Sequence, residues 1–257
     1  MIYIEIQNAC KTFLQNNEKF TAFENVSLSI EKGEFICLLG PSGCGKSTLL
    51  NAIAGFSPVT EGSIKINGKE VREPSVQNVT IFQNYGLLPW RSVQKNVELG
   101  LEAKKISKSE RHKIADKYIE MVGLSDFKKS HPRQLSGGMQ QRVSIARALA
   151  VNPDIIFMDE PFGALDAITR MKLQDDILTI SRQEKKTIIL VTHDIEEAVF
   201  LADRIVIMTA NPGKIKSILT VPLRSHRERT AGDFLQVRDK VFELFNMKHE
   251  ENIEYII

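Results

Sequence analysis

A glycine-rich segment near residue 43 has the residue types and spacing of a phosphate-binding loop. It matches the pattern GxxxxGK[ST] and reads Gly40-Pro41-Ser42-Gly43-Cys44-Gly45-Lys46-Ser47. An apolar strand pattern ends at Leu39, and a helical pattern over Thr48 to Ala54 follows, which is the context that such loops require. Backbone N–H groups and the helix N-terminus would surround phosphate oxygens, Lys46 would neutralise the β- and γ-phosphates, and Ser47 would offer its hydroxyl to Mg²⁺. The segment predicts nucleotide binding, and the context disfavours the alternative, a glycine-rich turn without a ligand.

Two adjacent acidic residues, Asp159 and Glu160, follow the apolar strand pattern of Ile155 to Met158. Carboxylates at the end of a buried strand suit the chemistry of divalent metals and water. Asp159 would hold Mg²⁺ through its outer coordination shell, and Glu160 would polarise a water molecule that attacks phosphate. Acidic residues also commonly end strands for structural reasons. The pair therefore gains a catalytic interpretation only together with the phosphate loop.

A second glycine-containing helix start reads Leu135-Ser136-Gly137-Gly138-Met139-Gln140-Gln141-Arg142. The Ser136 hydroxyl and the N–H groups of the two glycines form another anion site, although a helix N-cap with a flexible entry is the plainer alternative. The run resembles the signature of ABC ATPases, which implies that its ligand is the γ-phosphate bound to a second copy. Family members often carry glutamine where this chain has Met139. Because the serine hydroxyl and the glycine amides make the contact, we expect function to persist.

Three further residues match this family in order along the chain. Gln83 resembles the switch glutamine that contacts Mg²⁺, and His193 resembles the switch histidine that contacts the γ-phosphate. Asp166, in Ala164-Leu165-Asp166, resembles the loop that couples the two active sites of a pair. Without the resemblance, such a glutamine is usually a solvated loop residue, such a histidine is structural, and Asp166 is a helix N-cap.

Phe13 precedes the phosphate loop at about the separation where the family places an aromatic side chain that stacks on adenine. Phe20 and Phe23 lie nearby, and any of the three could instead belong to the core. The resemblance implies catalytic roles for Glu160 and His193 and Mg²⁺ contacts from Ser47, Gln83 and Asp159. It implies nucleotide contacts from Phe13, Gly40, Pro41, Ser42, Gly43, Cys44, Gly45, Lys46, Ser47, Thr48, Gln83, Ser136, Gly137, Gly138, Gln140 and Asp166.

These residues need a buried parallel sheet to position them. Short apolar runs rich in Ile, Val and Phe occupy Glu34 to Leu39, Ile155 to Asp159 and Thr187 to Val191, and each precedes a polar turn and a helical pattern. Alternating segments indicate antiparallel hairpins at Ile2 to Gln7, Val26 to Ile30 and Ser63 to Ile66, with turns at Glu31-Lys32-Gly33 and Asn67-Gly68. The predicted fold class is α/β, with an N-terminal antiparallel β layer before the phosphate-loop core.

Strand patterns are absent between Asn84 and Val151, where Ser107 to Val122 and Ser136 to Val151 have helical spacing. We interpret this stretch as an inserted helical lobe, as in the ABC ATPase fold. The predicted domains are an ATP-binding core at residues 1–83 and 152–223, the signature lobe at 84–151, and a C-terminal helical extension at 224–257. That extension contains a helical pattern from Asp233 to about Phe245.

Composition limits where the protein works and what it binds. The formal net charge is only +2, which argues against charge-driven binding of nucleic acid. Three unclustered cysteines, Cys10, Cys37 and Cys44, suit free thiols in a reducing compartment. The N-terminus lacks the blocks of a signal peptide, and no apolar run approaches the roughly 20 residues of a membrane-spanning helix. We expect a cytosolic chain that reaches the inner face of the membrane through partners.

Cys44 is a candidate reactive thiol because it lies among backbone amides that face phosphate. Such a setting would favour the thiolate. We therefore expect alkylation of Cys44 to inhibit the protein and MgATP to protect it.

Three segments indicate a branch of the family. Phe82 to Trp90, Met208 to Ile215 and Arg224 to Val241 are similar to the ATPase subunits of nitrate, sulfonate and taurine importers. The resemblance implies a head-to-tail pair of this chain, transmembrane permease subunits, and indirect service to a solute-binding protein. Trp90 would help to receive a coupling helix of the permease, or it would belong to the core of the lobe. A soluble ABC ATPase without a permease and a nucleotide sensor without hydrolysis remain as alternatives.

Overall fold

The computed structural model describes residues 2–15, 18–75, 77–223 and 227–246. Their contacts form two compact units, the first comprising the residues up to Pro74 and those from Ile189 onward, and the second comprising Ser75 to Ile188. The predicted domain boundaries after residues 83, 151 and 223 remain a prediction. Residues 224–226 and 247–257 of the predicted extension lie outside the described residues.

The elements follow one another in a mixed order. The first unit begins with β1 (Ile2–Gln15), β2 (Glu18–Glu31), β3 (Phe35–Leu39), α1 (Lys46–Ile53), β4 (Glu61–Ile66) and β5 (Lys69–Glu70). The second contains β6 (Asn78–Ile81), α2 (Val93–Val97), α3 (Leu99–Ala103), α4 (Lys108–Met121), α5 (Gly137–Ala150), β7 (Ile155–Asp159) and α6 (Ala167–Glu184), with 3-10 turns at Ser125–Phe127 and Pro132–Gln134. β8 (Thr187–Thr192) leads back to the first unit, which ends with α7 (Ile195–Leu201), β9 (Arg204–Thr209), β10 (Lys214–Thr220) and α8 (Gly232–Asn246).

The predicted antiparallel layer is confirmed as a sheet with the strand order β2-β1-β4-β5. β1 is much longer than the alternating pattern indicates, because register shifts between Ile6 and Ala9 and between Ala9 and Lys11 break the period of two. Asn8 and Asn25 have φ of 44° and 49°, the left-handed conformation that asparagine tolerates better than most residues. A strand that contains such irregularities continues in space after its sequence pattern has ended.

One of the two predicted hairpin turns is wrong. Asn67-Gly68 does join two antiparallel strands, since β4 pairs with β5. Glu31-Lys32-Gly33 instead connects β2 to β3, and β3 pairs in parallel with β9. β2 already has β1 as its antiparallel partner, so this turn passes the chain to a different set of strands.

The predicted parallel strands are buried along their length. Every residue of β3 and β8 is buried, and β7 is buried except at Asp159. β3 and β9 form a parallel pair in the first unit, with β10 antiparallel to β9, and β6 and β7 form a parallel pair in the second. Strands that are covered on both faces read as continuous apolar runs, which is why they could be recognised in the sequence.

Residues 84–151, all of which the structure describes, contain helices and no strand, as the sequence predicts, and the lobe as a separate domain stays a prediction. Ser107 and Ser136 are the N-caps of α4 and α5, and their hydroxyls accept hydrogen bonds from the backbone N–H groups of Glu110 and Met139 at 3.3 Å. The short helices α2 and α3 escaped prediction because five residues are too few to reveal a helical period. No helix among the described residues is long and apolar enough to cross a bilayer.

Candidate functional site

The phosphate loop joins β3 to α1 in the first unit. Gly43 and Gly45 have φ of 77° and 86°, a conformation that side chains with a Cβ rarely adopt. Lys46 is only 6% exposed, and its Nζ donates to the carbonyl oxygens of Gly40 at 2.7 Å and Pro41 at 2.9 Å. The loop is thus folded around its own lysine, while Ser42 and Ser47 stay exposed. A helix N-terminus and a fixed ammonium group beside a glycine-rich turn are features that suit the binding of an anion.

Two other segments of the first unit pack against the backbone of the phosphate loop. A Cβ at Gly45 would lie 2.6 Å from the carbonyl oxygen of Ala22, and a Cβ at Gly213 would collide with the carbonyl oxygen of Cys44. Gly213 is fixed against β2, since its N–H donates to Ala22 at 3.0 Å and its carbonyl accepts from Glu24 at 2.9 Å. No local pattern in the sequence marks Gly213 as a residue that supports this loop.

The expectation of a reactive Cys44 thiolate is wrong. Cys44 is buried, and this burial raises the pKa of its thiol above the ordinary value despite the opposing charge of Lys46. The Lys46 ammonium lies 3.8 Å from the sulfur. Backbone amides near the loop would favour a thiolate, but removal from water opposes the charged form more strongly. Cys44 is therefore protonated at neutral pH.

The three phenylalanines near the N-terminus divide into two groups. Phe23 is fully buried and belongs to the core, whereas Phe13 and Phe20 are 40% and 51% exposed. Phe13 and Phe20 are cross-strand partners on β1 and β2. The ammonium of Lys11 lies 5.0 Å from the ring centroid of Phe13. Phe13 thus presents an accessible aromatic surface, as a residue that stacks on a base must.

His193 is exposed in the turn between β8 and α7. Thr192 fixes this turn, because its hydroxyl donates to the buried carboxylate of Glu197 at 2.7 Å and accepts from the N–H of Asp194 at 3.0 Å. Burial raises the pKa of the Cys37 thiol on β3. The negative charges of Glu197 and Asp194 raise this pKa further, and the positive charge of Lys46 lowers it. Lys46 of the phosphate loop and Asp194 of the His193 turn therefore both influence the same residue of β3.

The second unit brings Gln83 and Glu160 together. The Gln83 side-chain amide donates to Glu160 Oε2 at 3.3 Å, and Asp159 ends β7 immediately before Glu160. Glu160 has a φ of 47°, which is uncommon for a residue with a long side chain. Such a conformation costs about 1–3 kcal/mol.

Ser136, Gly137 and Gly138 line a pocket of about 330 Å³ that also includes Ala164, Leu165 and Asp166. A Cβ at Gly138 would lie 3.0 Å from the carbonyl oxygen of Ala164, so the missing side chain allows the two segments to approach.

The polar side chains at this pocket also hold its segments in place. Asp166 is the N-cap of α6 and accepts from the N–H of Thr169 at 3.0 Å, which lowers the pKa of its carboxyl. The side-chain amide of Gln140 donates to the carbonyl oxygen of Leu135 at 3.2 Å. The capping interpretations of Ser136 and Asp166 are thus correct locally, and both residues still border the pocket.

Trp90 belongs to an exposed turn rather than to the core of the lobe. Its side chain is 72% exposed. Asn96 is fully buried and fixes the turn, because its amide nitrogen donates to the carbonyls of Leu88, Arg91 and Ser92 and its oxygen accepts from the N–H of Leu88. A large aromatic side chain held at the surface by a buried polar residue suits a contact with another protein.

Comparison with known proteins agrees with this geometry. A family profile described as ABC transporter matches residues 23–163. The nitrate import ATP-binding protein of Synechococcus elongatus is 47% identical over 224 residues, which cover 86% of this chain and 82% of that protein. The aliphatic sulfonates import ATP-binding protein of Bacillus subtilis is 47% identical over 245 residues, which cover 95% of this chain and 94% of that protein.

Solved structures show the same fold. A dimeric structure of MJ0796, a bacterial ABC transporter cassette, matches with a TM-score of 0.80 and 37% identity, covering 86% of this chain and all of that one. The same cassette in a post-hydrolysis state bound to ADP and Pi also matches with a TM-score of 0.80, at 36% identity and the same coverage.

The contact between Gly213 and the phosphate loop predicts the effect of an added methyl group. Gly213→Ala should weaken ATP binding about tenfold, because overpacking of about 1–2 kcal/mol displaces the loop. Calorimetric titration of the chain with ATP measures this change. Gly232→Ala is the matched control, since a Cβ there meets no heavy atom within 4 Å. Equal affinity in both variants would show that Gly213 does not support the loop.

The raised pKa of Cys44 predicts slow alkylation at neutral pH. The rate with iodoacetamide should rise about tenfold per pH unit from pH 7 to pH 9, because only the thiolate reacts and its fraction grows with pH. Mass spectrometry of the labelled peptide follows this residue separately from Cys10 and Cys37. A rate that is already at its plateau at pH 7 would contradict the protonated thiol.

Proposed function

The chain belongs to the ABC transporter family as an ATP-binding subunit that hydrolyses ATP, and on this premise we propose that two copies pair head to tail to drive solute uptake through a separate permease. The supporting observation is the presence, in one chain, of two different helix starts that each have features suited to an anion. One is the start of α1 with Lys46, and the other is the pocket at the start of α5 with Ser136. In the proposed pair, each ATP occupies the first site of one copy and the second site of the other.

The proposed chemistry assigns a role to each site residue. Phe13 stacks on adenine, and the amides of Gly40 to Thr48 together with Lys46 bind the phosphates. Glu160 accepts a proton from water as the water oxygen attacks the γ-phosphorus, and the bond to the bridging oxygen breaks to leave ADP. His193 contacts the γ-phosphate and stabilises the charge that develops on it.

The opposite copy completes the site in this proposal. Ser136, Gly137 and Gly138 donate hydrogen bonds to the γ-phosphate, Gln140 keeps Leu135 and the helix start in place, and Asp166 lies at the border of the pocket. Loss of the γ-phosphate removes this bridge, so the pair separates after hydrolysis.

Mg²⁺ fits the oxygen donors of the chain. The described residues contain no cluster of three or more His, Cys, Asp or Glu, and Mg²⁺ is usually held by one or two carboxylates together with phosphates and water. Ser47 would hold it through its hydroxyl and Gln83 through its amide oxygen, and the carboxylate of Asp159 would act through the outer coordination shell. When bound with ATP, Mg²⁺ supplies charge that offsets the β- and γ-phosphates.

The importer assignment follows the relatives and the exposed turn at Trp90. Segment Leu87 to Trp90 receives the permease, through which the protein works at the inner face of the membrane. The solute is a small anion or organic molecule such as nitrate, a sulfonate or taurine, delivered by a solute-binding protein that the ATPase does not contact. A soluble ABC ATPase is disfavoured, because two relatives of nearly full length are named as import proteins.

The role of Glu160 predicts a trapped state. Glu160→Gln should bind ATP and form a stable dimer, while phosphate release falls at least about 100-fold because the water loses its proton acceptor. Steady-state phosphate release and light scattering with ATP measure the two effects. Glu120→Gln, on an exposed position of α4, is the control. Normal turnover in Glu160→Gln would remove Glu160 from this role.

The second anion site predicts a different phenotype. Ser136→Arg should reduce phosphate release about 100-fold without weakening ATP binding to the single chain, because it fills the site that the opposite copy presents. Ser107→Arg also loses a helix N-cap and is the matched control. Full activity in Ser136→Arg would contradict head-to-tail pairing.

A further inference from the structure

Glu197 is a buried acidic residue of the first unit to which the proposed mechanism gives no role. It lies in the first turn of α7 and is only 7% exposed. A buried carboxylate is costly unless other groups pair with it or donate hydrogen bonds to it. The hydroxyl of Thr192, which is also buried, donates to Glu197 Oε2 at 2.7 Å. Thr192 comes directly before His193, the residue that we propose contacts the γ-phosphate.

The carboxylate of Glu197 determines which way the Thr192 hydroxyl points. A hydroxyl can donate and accept, whereas an ionised carboxylate only accepts. The proton of the Thr192 hydroxyl must therefore point toward Glu197, which leaves the lone pairs of the hydroxyl oxygen for the N–H of Asp194 at 3.0 Å. With a partner that also donates, the hydroxyl can turn and lose one of these two contacts.

The two hydrogen bonds of this hydroxyl enclose His193 in the chain. The hydroxyl belongs to the residue before His193, and the N–H that it accepts belongs to the residue after it. Asp194 is also the N-cap of α7, because its Oδ1 accepts from the N–H groups of Glu196 at 2.8 Å and Glu197 at 3.2 Å. The backbone on both sides of His193 is therefore fixed, although the histidine itself is exposed.

Glu197 also lies within electrostatic range of the strand that leads into the phosphate loop. α7 packs against β3, and both belong to the first unit. On β3, the negative charge of Glu197 raises the pKa of the Cys37 thiol after burial has raised it, and the positive charge of Lys46 lowers it. Two roles fit this placement, which are balancing the charge of Lys46 and fixing His193. The direct contact at 2.7 Å is with Thr192, which favours the second role.

We propose that Glu197 is a positioning residue that acts through the Thr192 hydroxyl to hold His193 in the orientation that contacts the γ-phosphate. The proposal rests on the proposed function, because it takes the γ-phosphate as the ligand of His193. A misplacement of about 1 Å can cost as much as about 100-fold in rate. Loss of the contact should therefore lower kcat, while the phosphate loop still binds ATP.

A pair of substitutions at Thr192 tests the hydroxyl. Thr192→Val keeps the shape of the side chain, and it should lower the kcat of phosphate release about tenfold and change KM for ATP less than about twofold. Thr192→Ser keeps the hydroxyl and should stay within about threefold of the parent. Thr187→Val replaces a fully buried threonine at the start of the same strand and is the matched control. Equal kcat in the two valine variants overturns the proposal.

A substitution at Glu197 separates the two roles that fit its placement. Glu197→Gln keeps the size of the side chain but presents an amide that also donates, so kcat should fall at least about threefold with KM for ATP unchanged. Glu196→Gln removes the same charge from an exposed residue of the same helical turn and is the matched control. An unchanged kcat in Glu197→Gln overturns the proposal, and a raised KM beside it would assign Glu197 to balancing the charge of Lys46.

A double-mutant cycle shows whether Thr192 acts through His193. Thr192→Val should cost about tenfold in kcat in the parent but less than about twofold in the His193→Ala background, because the residue that it positions is then absent. Phosphate release from radiolabelled ATP at high enzyme concentration measures the low rates of the His193→Ala variants. A structural defect that is independent of His193 would cost about tenfold in both backgrounds, which overturns the proposal.

The same variants separate this inference from the proposed function. If His193→Ala hydrolyses ATP at the parental rate, the proposed role of His193 fails. If His193→Ala loses activity and Thr192→Val costs the same in both backgrounds, the role of His193 stands and the positioning role of Glu197 fails.

Discussion

The close approach of two loops to the first turn of α5 organises the second unit. Gly137 leaves room for Tyr85, and Gly138 leaves room for the carbonyl of Ala164. A methyl group at either position would separate an N-terminus from a loop that has to stay next to it. Besides the contacts with phosphate that we propose for their amides, the two glycines allow the loop of Gln83 and Tyr85 and the segment at Asp166 to approach the start of the same helix.

Glycines also allow distant segments of the first unit to pack closely against the phosphate loop. Gly45 rests against Ala22, and Gly213 rests against the carbonyl of Cys44. These contacts arise between residues far apart in the chain, and they support the loop in addition to its own hydrogen bonds. In both units, the helix start that we propose as an anion site is packed closely by distant segments, which limits how far its amides can turn away from a ligand.

Features that depend on short local patterns were predictable from the sequence. The loop at Lys46, the helix start at Ser136 and the buried strands follow from spacing and polarity within short stretches, so they were recognisable. The approach of Tyr85 to Gly137 and that of Gly213 to Cys44 are tertiary contacts, and no local signal marks them. The expectation for Cys44 failed for the same reason, because burial is a property of the fold. The full length of β1 was hidden by its bulges.

The left-handed backbone conformation of Glu160 favours a different residue from the one that ATP hydrolysis requires at this position. Glycine or asparagine would adopt that conformation at lower cost, while turnover in the proposed mechanism needs a carboxylate there. Selection for a more stable fold and selection for faster hydrolysis therefore favour different residues at position 160. Variants evolved only for heat resistance would tend to lose the enzyme's activity at this site first.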